Sequence, residues 1–183
     1  CSELGEGAAW DPVTGTAWWF DIVGRKLHEH PLDRPATAHD LPRMGSVFAR
    51  IDDDRQLLAM DDGLYVRDAS GGDLSLLILL EDDMPGNRSN DGRVHPSGSL
   101  WIGTMGRKAE KEAGTIYHVS GSRVQPIFER VSIPNSICFS SDGSVGYFAD
   151  TALNTVWRVA VDPTTGLPTG EPETFLTAGD LPL

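Results

Sequence analysis

Cysteine, basic residues and long apolar runs are all scarce in this sequence, and each scarcity removes a class of protein. Only Cys1 and Cys138 occur, too few for a disulfide scaffold, so a reduced cytoplasmic protein is the starting expectation. Lys and Arg number 15 against 27 Asp and Glu, a net charge of −12. Without basic clusters the chain has nothing to neutralise phosphates, which argues against nucleic acid as a partner. The same surplus of carboxylate raises the local cation concentration and is compatible with a cation site. The longest apolar run, LSLLILL at 74–80, is far shorter than a bilayer crossing requires, so no membrane is expected. No secretory signal is visible, although the chain opens at Cys1 rather than Met, and a lost N-terminus would hide one.

Two catalytic patterns are missing as well. No serine stands in a GxSxG elbow, which argues against a serine hydrolase. His28, His30, His39, His95 and His118 show no zinc spacing; HEH at 28–30 puts two His on one strand face, expected to be solvent-facing. Cys138 reads as core rather than nucleophile. NRS at 87–89 matches an N-glycosylation acceptor, a coincidence in a chain with no visible secretory signal. EDD at 81–83 and KAEKEAG at 108–114 read as solvated loops.

What is present is a repeat of short strands. Few segments carry a helical period, whereas TAWWFDI (16–22), QLLAMDD (56–62), LWIGTM (100–105) and VGYFADT (145–151) are strand-like. Each follows a tight turn rich in Asp, Pro, Ser or Gly: DPVTG, DDDR, HPSG and SSDG. Phe20, Ala59, Gly103 and Ala149 recur at intervals of 39, 44 and 46 residues. After three of these strands a polar loop leads to a third strand, in RKLHEHPLD, TIYHVSG and TVWRVAVDP. A strand–turn–strand–loop–strand unit of this period is a propeller blade. The expected fold is all-β, a β-propeller of which about four blades are visible, with a β-sandwich second. Residues 1–183 are read as one propeller domain. Four blades lie at the lower limit for closure and the chain stops at GDLPL, so a fragment of a larger ring is expected.

Aligning the turns also aligns the residues before them. Four positions back from Trp10, Val94 and Phe139 stand Glu6, Asn90 and Asn135; the same count from Ile51 lands on Val47. The innermost strand of a propeller lines its channel, so the three oxygen-bearing side chains are expected to converge at one mouth. Carboxylate and amide oxygens suit a hard cation such as calcium or magnesium. The alternative is that strand-start Asn and Glu satisfy turns and exposed backbone. Asp21 and Asp150 carry a similar pair of readings, orienting loops at that face or capping a turn.

At these residues the sequence resembles the senescence marker protein/regucalcin/gluconolactonase group of six-bladed propellers. The matching motifs are LGEGAAWDP (4–12), NRSNDGRVHPSGSLWIGTM (87–105) and IPNSICFSSDGSVGYFADT (133–151). The resemblance implies hydrolysis of sugar lactones with one bound divalent cation, calcium foremost, with magnesium, zinc or manganese as other candidates. It implies Glu6 and Asn135 as metal ligands and Arg88 and Asn90 as substrate-binding residues. The family's catalytic Asp, part of an Asp-Gly pair, has no equivalent here and is expected beyond residue 183; Asp180 lacks the following Gly and is not assigned.

The implied chemistry is consistent with the residue types. A divalent cation polarises a carbonyl and acidifies bound water, a carboxylate serves as general base, and Arg88 faces developing negative charge. The rival is a non-catalytic propeller that binds calcium or a partner, which needs Glu6 and Asn135 but not Arg88. Oligomeric state is left open.

Overall fold

The computed structural model describes residues 2–180. Among them the chain forms four sheets of four strands each, two single-turn 3₁₀ helices and no α-helix. The first sheet holds β1 (Gly5–Asp11), β2 (Thr16–Asp21), β3 (Lys26–Pro31) and β4 (Thr37–Asp40). The second holds β5 (Gly45–Arg50), β6 (Arg55–Met60), β7 (Gly63–Asp68) and β8 (Leu74–Leu79). In the third are β9 (Asn87–Val94), β10 (Leu100–Gly106), β11 (Gly114–Ser120) and β12 (Arg123–Val131). In the fourth are β13 (Pro134–Phe139), β14 (Val145–Asp150), β15 (Thr155–Ala160) and β16 (Glu173–Thr177). Spatial order equals chain order in every sheet, which is the meander of a propeller blade.

Each blade therefore has one strand more than the repeat showed. The added outer strands are β4, β8, β12 and β16. The run LSLLILL supplies β8, and it is not core: Leu76, Leu77 and Leu79 are each 51% exposed. An outermost strand is held chiefly by its single partner, so it needs no buried face of its own.

The turns behave as their composition requires. Asp11 accepts from Val13 N at 3.0 Å and from Thr14 Oγ1 at 2.9 Å. Asp52 accepts from the amides of Asp54 and Arg55, and Asp142 from Ser140 Oγ, Ser144 N and Ser144 Oγ. Short acceptors at the head of a turn pair the amides that the reversal strips of ladder partners.

The described chain divides into two compact units, residues 1–89 and 90–183, the division falling inside β9. In the first unit β1 and β2 lie against β5. Trp18, Phe20, Ile22, Leu27, Phe48 and Leu58 form its core, with Trp18 stacked on Phe48 at 4.6 Å. In the second unit β10 and β11 lie against β13. Its core joins Trp101, Ile116, Ile137, Phe148 and Val159, and the buried Trp101 indole donates to Gly166 O at 2.8 Å. Gly103 lets β10 approach β13 closely: a Cβ there would meet Pro134 Cγ at 2.6 Å.

Candidate functional site

The candidate residues stand near the start of the first strand of their sheets. In β1, Gly5 pairs with Asp21 and Glu6 with Phe20, and the register then shifts before Ala9 meets Trp18. In β13, Pro134 pairs with Asp150 and Asn135 with Ala149, and the register shifts before Cys138 meets Tyr147. In β5, Val47 faces Ala59. The offset read from the sequence is thus a real cross-strand register: Glu6, Val47 and Asn135 each face the recurring residue of the second strand. A bulge follows Glu6 and another follows Asn135, and bulges re-aim side chains at strand ends. The residue after each is left-handed, Gly7 at φ 62° and Ser136 at φ 57°.

The carboxylate closing the second strand anchors the segment leading into the first. Asp21 accepts from Glu3 N at 2.9 Å, Leu4 N at 3.0 Å and Gly24 N at 3.1 Å. Those backbone donors, Glu3 first and then Leu4, hold its carboxyl below the ordinary value. Asp150 anchors the entry to β13 through the corresponding hydrogen bonds, accepting from Ser132 N at 2.8 Å, Ile133 N at 3.0 Å and Ala152 N at 3.1 Å. The turn-capping reading of these two aspartates is the one these hydrogen bonds support.

The second unit brings two of the four expected site residues into contact. Asn90 is buried, and its Nδ2 donates to Pro134 O at 2.8 Å and to Asn135 Oδ1 at 2.8 Å. Asn135 in turn donates through Nδ2 to Thr151 Oγ1 at 2.8 Å. This relay fixes the amide of Asn135 with its oxygen toward Asn90, and a carbonyl oxygen keeps a second lone pair for a cation. Glu6 lies in the first unit as an exposed residue of β1. Arg88 stands two residues before Asn90 on β9, half-buried, with Nη1 donating to Ser89 O at 2.9 Å.

Among the described residues no three of His, Cys, Asp and Glu gather at one point. The donor types expected from the sequence are the Glu6 carboxylate in the first unit and the Asn135 amide oxygen in the second. Both are oxygen donors, the type that suits a hard divalent cation.

Asp91 escaped the sequence reading, although it stands inside NRSND. Its Oδ2 accepts from Ile137 N at 2.9 Å and its Oδ1 from Gly92 N at 2.8 Å. Burial pushes its carboxyl up, opposed by the backbone donors of Ile137, Gly92 and Ser136 and by the charge of Arg93. The signal available in the sequence was an Asp next to an assigned Asn; its amide partners left none.

Other expectations are corrected by the structure. His28 is not solvent-facing: it is half-buried in β3 and stacked on Trp19 at 4.9 Å. His30 is exposed, as expected. Cys138 is exposed rather than core, because β13 turns that side chain away from the cluster that Ile137 enters. Desolvation by neighbouring groups nonetheless raises its thiol pKa, so it is no activated nucleophile. The asparagine of the NRS sequence is buried and donates to Glu81 Oε2 at 2.9 Å. Asp180 accepts from Thr177 N and Oγ1, both at 2.7 Å, and so caps its own turn.

Comparison with known proteins places these motifs in context. The model of the family described as "SMP-30/Gluconolactonase/LRE-like region" matches residues 4–181. A crystal structure of regucalcin, a calcium-binding protein from Agrobacterium tumefaciens, is 59% identical with a TM-score of 0.93, covering 95% of this chain and 59% of that one. The Rhizobium meliloti protein named "Putative sugar lactone lactonase" is 59% identical over 172 residues, 93% of this chain and 58% of its own. Pentonolactonase XacC of Haloferax volcanii is 34% identical over 167 residues, 89% of this chain and 55% of its own. The chain thus spans little more than half the length of the curated relatives it matches.

Proposed function

The chain belongs to the SMP-30/gluconolactonase/LRE-like family, and from that premise we propose that it is a lactonase, opening sugar lactones with a divalent cation at the mouth of the propeller channel. The observation that carries the reading is the pair of 2.8 Å hydrogen bonds from Asn90 to Pro134 O and Asn135 Oδ1. They tie the NRSND motif, which resembles a substrate-binding segment, to the PNS motif, which resembles a metal-binding one. Cytoplasmic residence and a single propeller domain over 1–183 belong to the same reading.

In this proposal Glu6 and Asn135 supply oxygen ligands to the cation, with calcium the first candidate. When bound, the cation polarises the lactone carbonyl and lowers the pKa of water. The remaining work belongs to the chain. Asn90, whose amide both donates and accepts, orients sugar hydroxyls and holds the Asn135 oxygen in place. The Arg88 guanidinium stabilises the negative charge that develops on the carbonyl oxygen as water adds. The ester C–O bond then breaks, and the ring alcohol and carboxylate of the hydroxy acid result. The general base is left unassigned.

One observation favours a second reading: the 59% identical Agrobacterium structure is named as a calcium-binding protein. A non-catalytic calcium binder has no use for Arg88, and that residue separates the two. Arg88→Ala is expected to cut hydrolysis of a five- or six-membered sugar lactone by about a hundredfold or more, with calorimetric cation affinity unchanged. If the unmodified protein binds a divalent cation yet hydrolyses no lactone, the binder reading replaces the enzyme. Hydrolysis that survives complete chelation would remove the metal from the mechanism while leaving the enzyme.

A further inference from the structure

Asn90 and Asp91 are consecutive, and between them their side chains grip four successive residues of β13, two each. Asn90 takes Pro134 O and Asn135 Oδ1. Asp91 takes Ile137 N at 2.9 Å and also receives Ser136 N. The stretch they enclose contains the bulge between Asn135 and Cys138.

That bulge differs from its counterpart in β1. There the left-handed residue is Gly7 at φ 62°, and glycine adopts such a conformation without steric penalty. In β13 the same place is taken by Ser136 at φ 57°, a conformation that L side chains avoid unless the surroundings impose it. A bulge also leaves backbone amides without ladder partners, and buried amides require acceptors. Asp91 meets both needs at once. Its carboxylate receives the two amides that follow Asn135, and the proposed mechanism gives that carboxylate no other task.

We propose that Asp91 is a positioning residue for Asn135: by pinning the bulge at Ser136 and Ile137 it sets the direction of the amide oxygen offered to a divalent cation. The proposal rests on the reading of Asn135 as a cation ligand. Asn90 fixes that amide from one side and Asp91 fixes the backbone that carries it from the other. Losing Asp91 leaves the side-chain relay attached to a backbone free to relax.

The test is calorimetric titration of calcium and of manganese into the natural protein and into Asp91→Ala, Asp91→Asn, Asn135→Ala and the Asp91→Ala/Asn135→Ala double variant. Amide hydrogen exchange at Ser136 and Ile137 is followed alongside. Asp91→Ala is expected to weaken cation binding by about tenfold to a hundredfold, the usual effect of losing a group that orients a ligand. The double variant should bind no more weakly than Asn135→Ala, since Asp91 acts through that residue. Exchange should accelerate at the two amides while β14 stays protected. Cation affinity unchanged in Asp91→Ala, or losses that simply add in the double variant, would overturn the proposal. Should Asp91→Ala fail to fold, Asp91→Asn decides: it keeps one acceptor oxygen, so binding should fall severalfold, and wild-type affinity would refute the role. If Asn135→Ala binds as tightly as the natural protein, the ligand reading itself fails and takes this proposal with it. A weak Asn135→Ala beside an unaffected Asp91→Ala sinks only the positioning role.

Discussion

Adding a single methyl group at Gly103 should loosen the fourth blade and the site together. The ideal Cβ would lie 2.6 Å from Pro134 Cγ and 2.7 Å from Pro134 Cβ, where ordinary contact begins at 3.4 Å. The deficit is 3.4 − 2.6 = 0.8 Å, and the obstacle is a rigid ring whose residue is also held through its carbonyl by Asn90. No positive φ is involved at Gly103, so backbone strain does not enter. Relief requires β13 to move away from β10, which opens the cluster of Trp101, Ile137 and Phe148. Overpacking of this kind costs about 1–3 kcal/mol. Replacing Gly by Ala also stiffens the unfolded chain, which offsets about 0.4–1 kcal/mol of that. Gly170→Ala isolates the second effect, because Gly170 has nothing within 4 Å of its Cβ position and no positive φ. The expected gap between the two variants is about 2 kcal/mol in urea unfolding at unchanged slope. Cation affinity should fall in Gly103→Ala as well, because the displaced strand carries Asn135. A gap below about 0.5 kcal/mol, the scatter of neutral surface changes, would refute the claim that Gly103 is there for close packing.

Two further outcomes concern the carboxylates at the turns. Asp150 is 1% exposed and receives three backbone amides, of which that of Ser132 is itself buried, so Asp150→Ala should cost about 1–3 kcal/mol by leaving the Ser132 N–H unpaired; equilibrium unfolding that moves by less would mean the strand entry is held elsewhere. Asp142, held by Ser140 and Ser144, has its carboxyl lowered from 3.8 to about 2. A depressed folded-state value contributes stability that is present above the unfolded value and is lost as pH falls through the folded one. Asp142→Asn should therefore flatten the acid limb of the stability curve between pH 3.8 and about 2 and leave the curve above it parallel to wild type, as read by urea midpoints across pH; an unchanged acid limb would contradict the assignment.

The blade repeat is legible in the sequence because its causes are local. Turn acceptors such as Asp11 and Asp52 act within three residues of themselves, and the alternation in TAWWFD buries Thr16, Trp18 and Phe20 wherever the strand lies. Those two signals were enough to align Glu6 and Asn135 correctly with Phe20 and Ala149. The outer strands were missed for a related reason. TAHD and ETFLT bury no side chain, so β4 and β16 carry no pattern beyond their pairing, and the apolar β8 is an exposed edge without alternation.

At the candidate site, the oxygen-bearing residue types and their register came from sequence, and so did the resemblance that assigns them roles. The contact of Asn90 with Asn135, 45 residues apart in sequence, required the fold. So did the function of Asp91, whose partners are the backbone amides of Ser136 and Ile137. Every residue but proline carries an N–H, so no letter of the sequence says which one a carboxylate will meet. His28 and Cys138 were misjudged on the same ground. Strand alternation states that two faces differ, but only the neighbouring elements decide which face is covered and which meets solvent.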